Sequence, residues 1–169
     1  VPDGEPGRLR VRGGSTALCY WADQKKSRET FQGEWCTSAD IFRRDAEGYH
    51  YYEGRDDDLL KVSGIFVSPL EIENVLLGHP AVTEVCVVGH EDDEQLVKPL
   101  AFVVLAPGWP KSDATALALK AHVKTKLAPH KYPRWFEWRD SLPRNDRGKV
   151  ARKELKTELA SRRQPGRSP

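Results

Sequence analysis

Residues 61–80 read KVSGIFVSPLEIENVLLGHP, and a complete helix grammar lies inside them. Ser68 can cap, Pro69 suits the first helical position, and Glu71 stands where a capping box places its acid. Ile72, Val75 and Leu76 share one face, and Gly78 with Pro80 ends the run. Upstream, a strand is predicted from Leu59. Downstream, VTEVCVVG (82–89) and KPLAFVVLAPG (98–108) read as neighbouring buried strands joined by the acidic turn at 91–94. Residues 113–127 form a second amphipathic pattern, with Ala116, Leu119, Val123 and Leu127 on one face. RWFEW (134–138) is a third strand, and a last helix starts near Ala151. This order predicts an α+β domain, a short sheet covered by helices.

The chain before this domain has another texture. In residues 1–53, RLRVR (8–12) alternates and a Gly13-Gly14 turn follows. Residues 21–35 suit a short helix before a turn. IFRRDAEGYHYYEG (41–54) reads as a hairpin with its turn at 45–48. A piece this short closes no core of its own, so it is expected to be the β-rich end of a larger domain. Residues 54–64, GRDDDLLKVSG, place three consecutive acids where a strand interior rejects them, which marks a linker. The expected organisation is therefore 1–55 as the end piece, 56–160 as the second domain, and 161–169 as a disordered tail.

Composition sets outer limits. Of 169 residues, 31% are charged and 38% hydrophobic, as in soluble globular proteins. No stretch approaches the roughly 18 apolar residues of a membrane span. The N-terminus VPDGEPGRLRVRGG carries no apolar signal segment, and the chain contains no Met, so a fragment of a longer protein is expected. Cys19, Cys36 and Cys86 are odd in number and widely spaced, without a CxxC pair. That suggests neither a zinc site nor a disulfide framework, and favours a reducing, cytoplasmic setting. A net charge of +2 argues against bulk nucleic-acid binding. The excess of Lys and Arg beyond Val150 reads as a solvated helix face and tail.

The loop LPRNDRGKVAR (142–152) holds Gly148-Lys149 just before a helix. It is not a phosphate-binding P-loop: Pro143 stands where the first Gly belongs, and Val150 replaces the Ser or Thr after the Lys. A Lys on such a loop can neutralise a developing oxyanion, but taken alone it reads more readily as a solvated turn residue. The wider set of segments changes its weight. In order come GEWCTSAD (33–40), GRDDDLLKVSG (54–64), IFVSPLEIE (65–73), HPAVTEVCVVG (79–89), VKPLAFVV (97–104) and PRNDRGKVAR (143–152). This ordered set resembles the C-terminal part of the adenylate-forming family, which includes acyl- and aryl-CoA synthetases, luciferases and peptide-synthetase adenylation domains. The resemblance runs from about Gly4 to Leu155. KVSGIFVSPLEIE, YWADQKKSRETFQGEW (20–35) and HKYPR (130–134) look most like benzoate-CoA ligases.

The resemblance implies two half-reactions. A carboxylic acid attacks MgATP to give an acyl-adenylate, and CoA then displaces AMP. A small C-terminal lid domain rotates between the steps. Lys149 matches the adenylation lysine. Asp40 matches the aspartate that binds the ribose hydroxyls, although Ala39 stands where the family string has Gly. Arg55 matches a nucleotide-contacting arginine, and Asp57 the hinge position, flanked by Asp56 and Asp58. Ser63 and Gly64 lie in the segment that swings in for thioester formation, where Gly64 leaves room for the pantetheine arm. A glycine there also suits a β-bulge. Lys98, Lys131 and Arg134 are candidates for the CoA phosphates. No protein-bound metal is implied, and some family members are homodimers. The family's phosphate loop and acid pocket are expected upstream, so this stretch alone should be inactive. A carrier-protein-loading enzyme and a stand-alone nucleotide- or CoA-binding module are the alternatives.

Overall fold

The computed structural model describes residues 1–162 of the chain. They form two compact units, Val1–Asp58 and a second from Leu59 on.

The first unit is a small antiparallel sheet. Strand β1 (Pro6–Arg12) pairs with β3 (Trp35–Arg44), which also pairs with the short β2 (Phe31–Gln32) and with β4 (His50–Arg55). Helix α1 (Gln24–Thr30) precedes β2, and Asp23 caps it by accepting from the Lys26 amide at 2.9 Å. The β3–β4 hairpin turns at Asp45, whose carboxylate accepts from the amides of Glu47 and Tyr49 and from the Tyr51 hydroxyl. Burial opposes ionisation there, but these hydrogen bonds win and hold the Asp45 carboxyl below its ordinary range.

The second unit begins with a hairpin, β5 (Leu60–Val62) and β6 (Ile65–Val67). Sequence patterning alone foresaw one strand here. Helix α2 (Pro69–Leu77) follows, with Ser68 accepting from the Glu71 amide and Gly78 as its C-cap. Strands β7 (Val82–Glu91) and β8 (Val97–Leu105) pair antiparallel, and α3 (Asp113–Lys124) crosses over to β9 (Trp135–Arg139), parallel to β8. Helix α3 ends three residues before the predicted Leu127, and β9 lies one residue later than predicted. Helix α4 (Arg152–Arg162) takes in Ser161 and Arg162, which the sequence assigns to a tail. The rest of that tail, 163–169, lies outside the described residues.

Both faces of the β7–β8–β9 sheet are covered, which explains the unbroken apolar runs in β7 and β8. With a period of two, Val85, Val87, Ala101 and Val103 meet Ile72 and Leu76 of α2 and Leu119 and Val123 of α3. Cys86, Val88, Leu100 and Phe102 face the other way, toward Leu142 and toward Leu155 and Leu159 of α4. One residue on the apolar side of α2 is not apolar. Glu73 is only 6% exposed. It accepts from the Val87 amide and forms a two-pronged ion pair with Arg152, at 2.7 and 3.1 Å. Arg152 also donates to the Val87 carbonyl. Helix α4 is thereby clasped to α2 and β7 where it begins.

Candidate functional site

The residues singled out in the first unit lie side by side. Asp40 on β3 is the register partner of Arg55 on β4. The Arg55 guanidinium is 3.7 Å from the Asp40 carboxylate, and it donates through Nε and Nη2 to Asp57, both at 2.9 Å. The hydrogen bonding to the Asp57 carboxylate outweighs partial burial and holds Arg55 firmly protonated. Asp57 sits in the turn 55–58, closed by the Asp58 amide donating to the Arg55 carbonyl. Its neighbour Asp56 pairs with Arg8, and the Asp56 amide donates to Ala39. One arginine thus touches two carboxylates, one on the sheet and one at the boundary of the two units. Arg55 is thus already ion-paired with nearby acids.

In the second unit, Ser63 and Gly64 are the two central residues of the β5–β6 turn, with φ of 50° and 85°. Positive φ at both positions is the signature of a type I′ hairpin, so Gly64 answers a turn rather than a bulge. A Cβ at Gly64 would meet nothing within 4 Å in this chain. Ile65 and Phe66 beside it are exposed.

Lys149 stands on a short, heavily bonded turn. Both ends are rooted in the core: Leu142 is buried under α4, and Val150 packs against the same cluster. A β-bridge joins Arg144 to Val150. Within it, Asn145 accepts at Oδ1 from the amides of Arg147 and Lys149, both at 3.0 Å, and its own amide donates to the Lys149 carbonyl at 2.8 Å. Gly148, at φ 75°, supplies the left-handed step and donates to the Asn145 carbonyl. Arg144 donates to the Gly148 carbonyl at 2.9 Å and pairs with Glu84 of β7. The Lys149 side chain is exposed at the end of this scaffold.

The three candidate CoA cations part company. Lys98 and Arg134 line one open cavity of about 510 Å³, together with Trp135 and the acids Asp92, Asp93 and Glu94. Lys131 is elsewhere engaged: its ammonium lies 2.7 and 2.8 Å from the two oxygens of Glu71. That pair would have to open, or share its charge, for Lys131 to meet a phosphate. The sequence missed Lys120 and Lys124. With Arg134 they surround the Tyr132 ring at 4.4 to 5.5 Å from its centroid. Their spacing of four on α3 was the available signal. Among the described residues, no group of His, Cys, Asp or Glu could hold a metal, and no helix is long and apolar enough to cross a membrane.

Residues 71–149, from the α2 acid to the turn lysine, match the AMP-binding enzyme C-terminal domain. The chain carries the C-terminal domain of the AMP-binding enzymes. It is 50% identical over 154 residues to a benzoate–CoA ligase of Thauera aromatica, covering 91% of this chain and 29% of that protein. Among solved structures, an anthranilate CoA ligase in complex with anthranoyl-AMP matches 96% of this chain and 32% of its own, at 44% identity and a TM-score of 0.88. A benzoate CoA ligase from Burkholderia xenovorans matches 92% and 31%, at 49% identity and a TM-score of 0.83. The chain therefore spans about three tenths of the length of these relatives. The family resemblance and the small α+β fold stand as the sequence implied.

Proposed function

We propose that this chain belongs to an ATP-dependent carboxylate–CoA ligase acting on benzoate or a related aromatic acid. The observation that carries the proposal is Lys149, presented on a bonded turn at the end of the stretch that matches the AMP-binding C-terminal domain. Support for an aromatic acid comes from relatives named for benzoate and anthranilate.

In the first half-reaction a carboxylate oxygen attacks the α-phosphorus of MgATP, and the bond to pyrophosphate breaks. Negative charge gathers between the acid and the phosphate, and the Lys149 ammonium is suited to neutralise it. Asp40 offers two acceptor oxygens for the ribose hydroxyls, with Arg55 holding that carboxylate in place. In the second half-reaction the CoA thiol sulfur attacks the acyl carbon, and AMP leaves. The Ser63-Gly64 turn gives a narrow edge without a bulky side chain along which pantetheine can lie. Lys124, Lys120 and Arg134 are better placed than Lys131 to meet CoA phosphates, because Lys131 is paired with Glu71. Asp57, at the boundary of the units, serves as the hinge. Residues 1–58 form the end of the large domain, and those from Leu59 on form the mobile lid. The three free cysteines suit a reducing, cytoplasmic setting.

The test is an acid panel on the complete enzyme, with pyrophosphate release and thioester formation followed together. Benzoates are expected to release pyrophosphate and yield CoA thioesters, well ahead of fatty acids. Pyrophosphate release without CoA thioester would point instead to a carrier-protein acceptor. ATP or CoA binding with no acid-dependent turnover would leave a binding module.

A further inference from the structure

We propose that Asn145 is a positioning residue for Lys149, fixing where its side chain starts and so where its charge arrives. The inference rests on Lys149 acting in adenylation.

Asn145 holds Lys149 from both sides of its backbone. The Asn145 Oδ1 accepts the Lys149 amide at 3.0 Å, and the Asn145 amide donates to the Lys149 carbonyl at 2.8 Å. The same Oδ1 accepts the Arg147 amide at 3.0 Å. Two N–H donors converge on one atom, which identifies it as the carbonyl oxygen of the Asn side chain rather than its NH2. The Gly148 amide then closes the turn on the Asn145 carbonyl at 2.8 Å. No other side chain is hydrogen-bonded to the Lys149 backbone among the described residues.

A lysine side chain has four rotatable bonds, so its ammonium reaches many places from a loose Cα and fewer from a fixed one. Adenylation needs that charge between two reacting groups, and small misplacements there are costly. The turn itself has other supports. Its ends are held by the Arg144–Val150 bridge and by Leu142 in the core, and Arg144 ties it to Glu84. Loss of the Asn145 side chain removes the acceptor of the Arg147 and Lys149 amides but keeps the backbone bond to the Lys149 carbonyl, so it should loosen Lys149 without unfolding the domain.

The experiment uses the complete enzyme with Asn145→Ala, Asn145→Thr and, as reference, Lys149→Ala. Three readouts are taken: acid-dependent pyrophosphate release, thioester formation from supplied acyl-adenylate, and thermal unfolding. Asn145→Ala is expected to lower kcat for adenylation about tenfold with KM for ATP little changed, while thioester formation and Tm hold. Asn145→Thr keeps a shorter acceptor and should recover part of the loss. If both half-reactions fall together with Tm, the role is structural and the proposal fails. It fails also if Asn145→Ala is silent while Lys149→Ala abolishes adenylation. If Lys149→Ala itself spares adenylation, the assignment of Lys149 falls first and takes this one with it.

Discussion

The two units are built on opposite terms. Of the buried apolar residues among those described, only Ile41 belongs to the first unit, and all the others lie from Leu60 on. The first unit shows Leu18 and Trp21 almost wholly to solvent, at 92% and 98%, with Tyr49, Tyr51 and Tyr52 also exposed. Its order comes from β pairing and from surface ion pairs such as Arg43–Glu53 and Arg44–Asp3. The second unit packs both faces of a sheet and clasps the base of α4 with a buried ion pair. A sheet gains stability by burying a face, and the second unit does so on both sides while the first does so hardly at all.

The largest effect that would break this contrast concerns ion pairs. Glu73→Ala removes the carboxylate that Arg152 pairs with in a low-dielectric setting and strips the acceptor from the Val87 amide. It should destabilise the second unit by about 3–5 kcal/mol. Glu53→Ala, which removes a partly exposed pair in the first unit, should cost less than about 1 kcal/mol. Denaturant unfolding of the two variants checks this, and equal costs would erase the contrast.

A smaller effect concerns pH. Burial, and then the nearby charge of His122, holds the His79 pKa below its ordinary 6.5. The two rings meet edge to face at 5.0 Å, and His79 Nδ1 accepts the Ala81 amide, which requires that nitrogen unprotonated. The unfolded chain therefore binds this proton more readily than the folded one. The stability tied to a neutral His79 is whole above about pH 6.5 and drains away as pH falls through the lowered value. His79→Asn should flatten the stability–pH curve of the second unit below pH 6.5. An unchanged slope would show that His79 does not set it.

The sequence was most informative where patterns were long and local. The α2 caps and the runs of β7 and β8 were legible because periodicity and capping chemistry act over a few residues. The β5–β6 hairpin was not, since each strand is three residues long and its turn needs positive φ at Ser63, which composition does not announce. Glu73 drew no reading in the sequence, because its partner Arg152 lies 79 residues away. Lys131 looked free for the same reason, with Glu71 60 residues upstream. Asn145 drew no attention beside Lys149, because an Asn in a turn is ordinary until its acceptor is seen to take two amides. Lys149 itself was legible only through the ordered family segments, not through its own surroundings.

The most direct measurement separates the half-reactions in Lys149→Ala of the complete enzyme. The expected result is a loss of about 10²–10³-fold in acid-dependent pyrophosphate release, with thioester formation from supplied acyl-adenylate retained. Equal losses in both half-reactions, or an unchanged adenylation rate, would contradict the role given to Lys149.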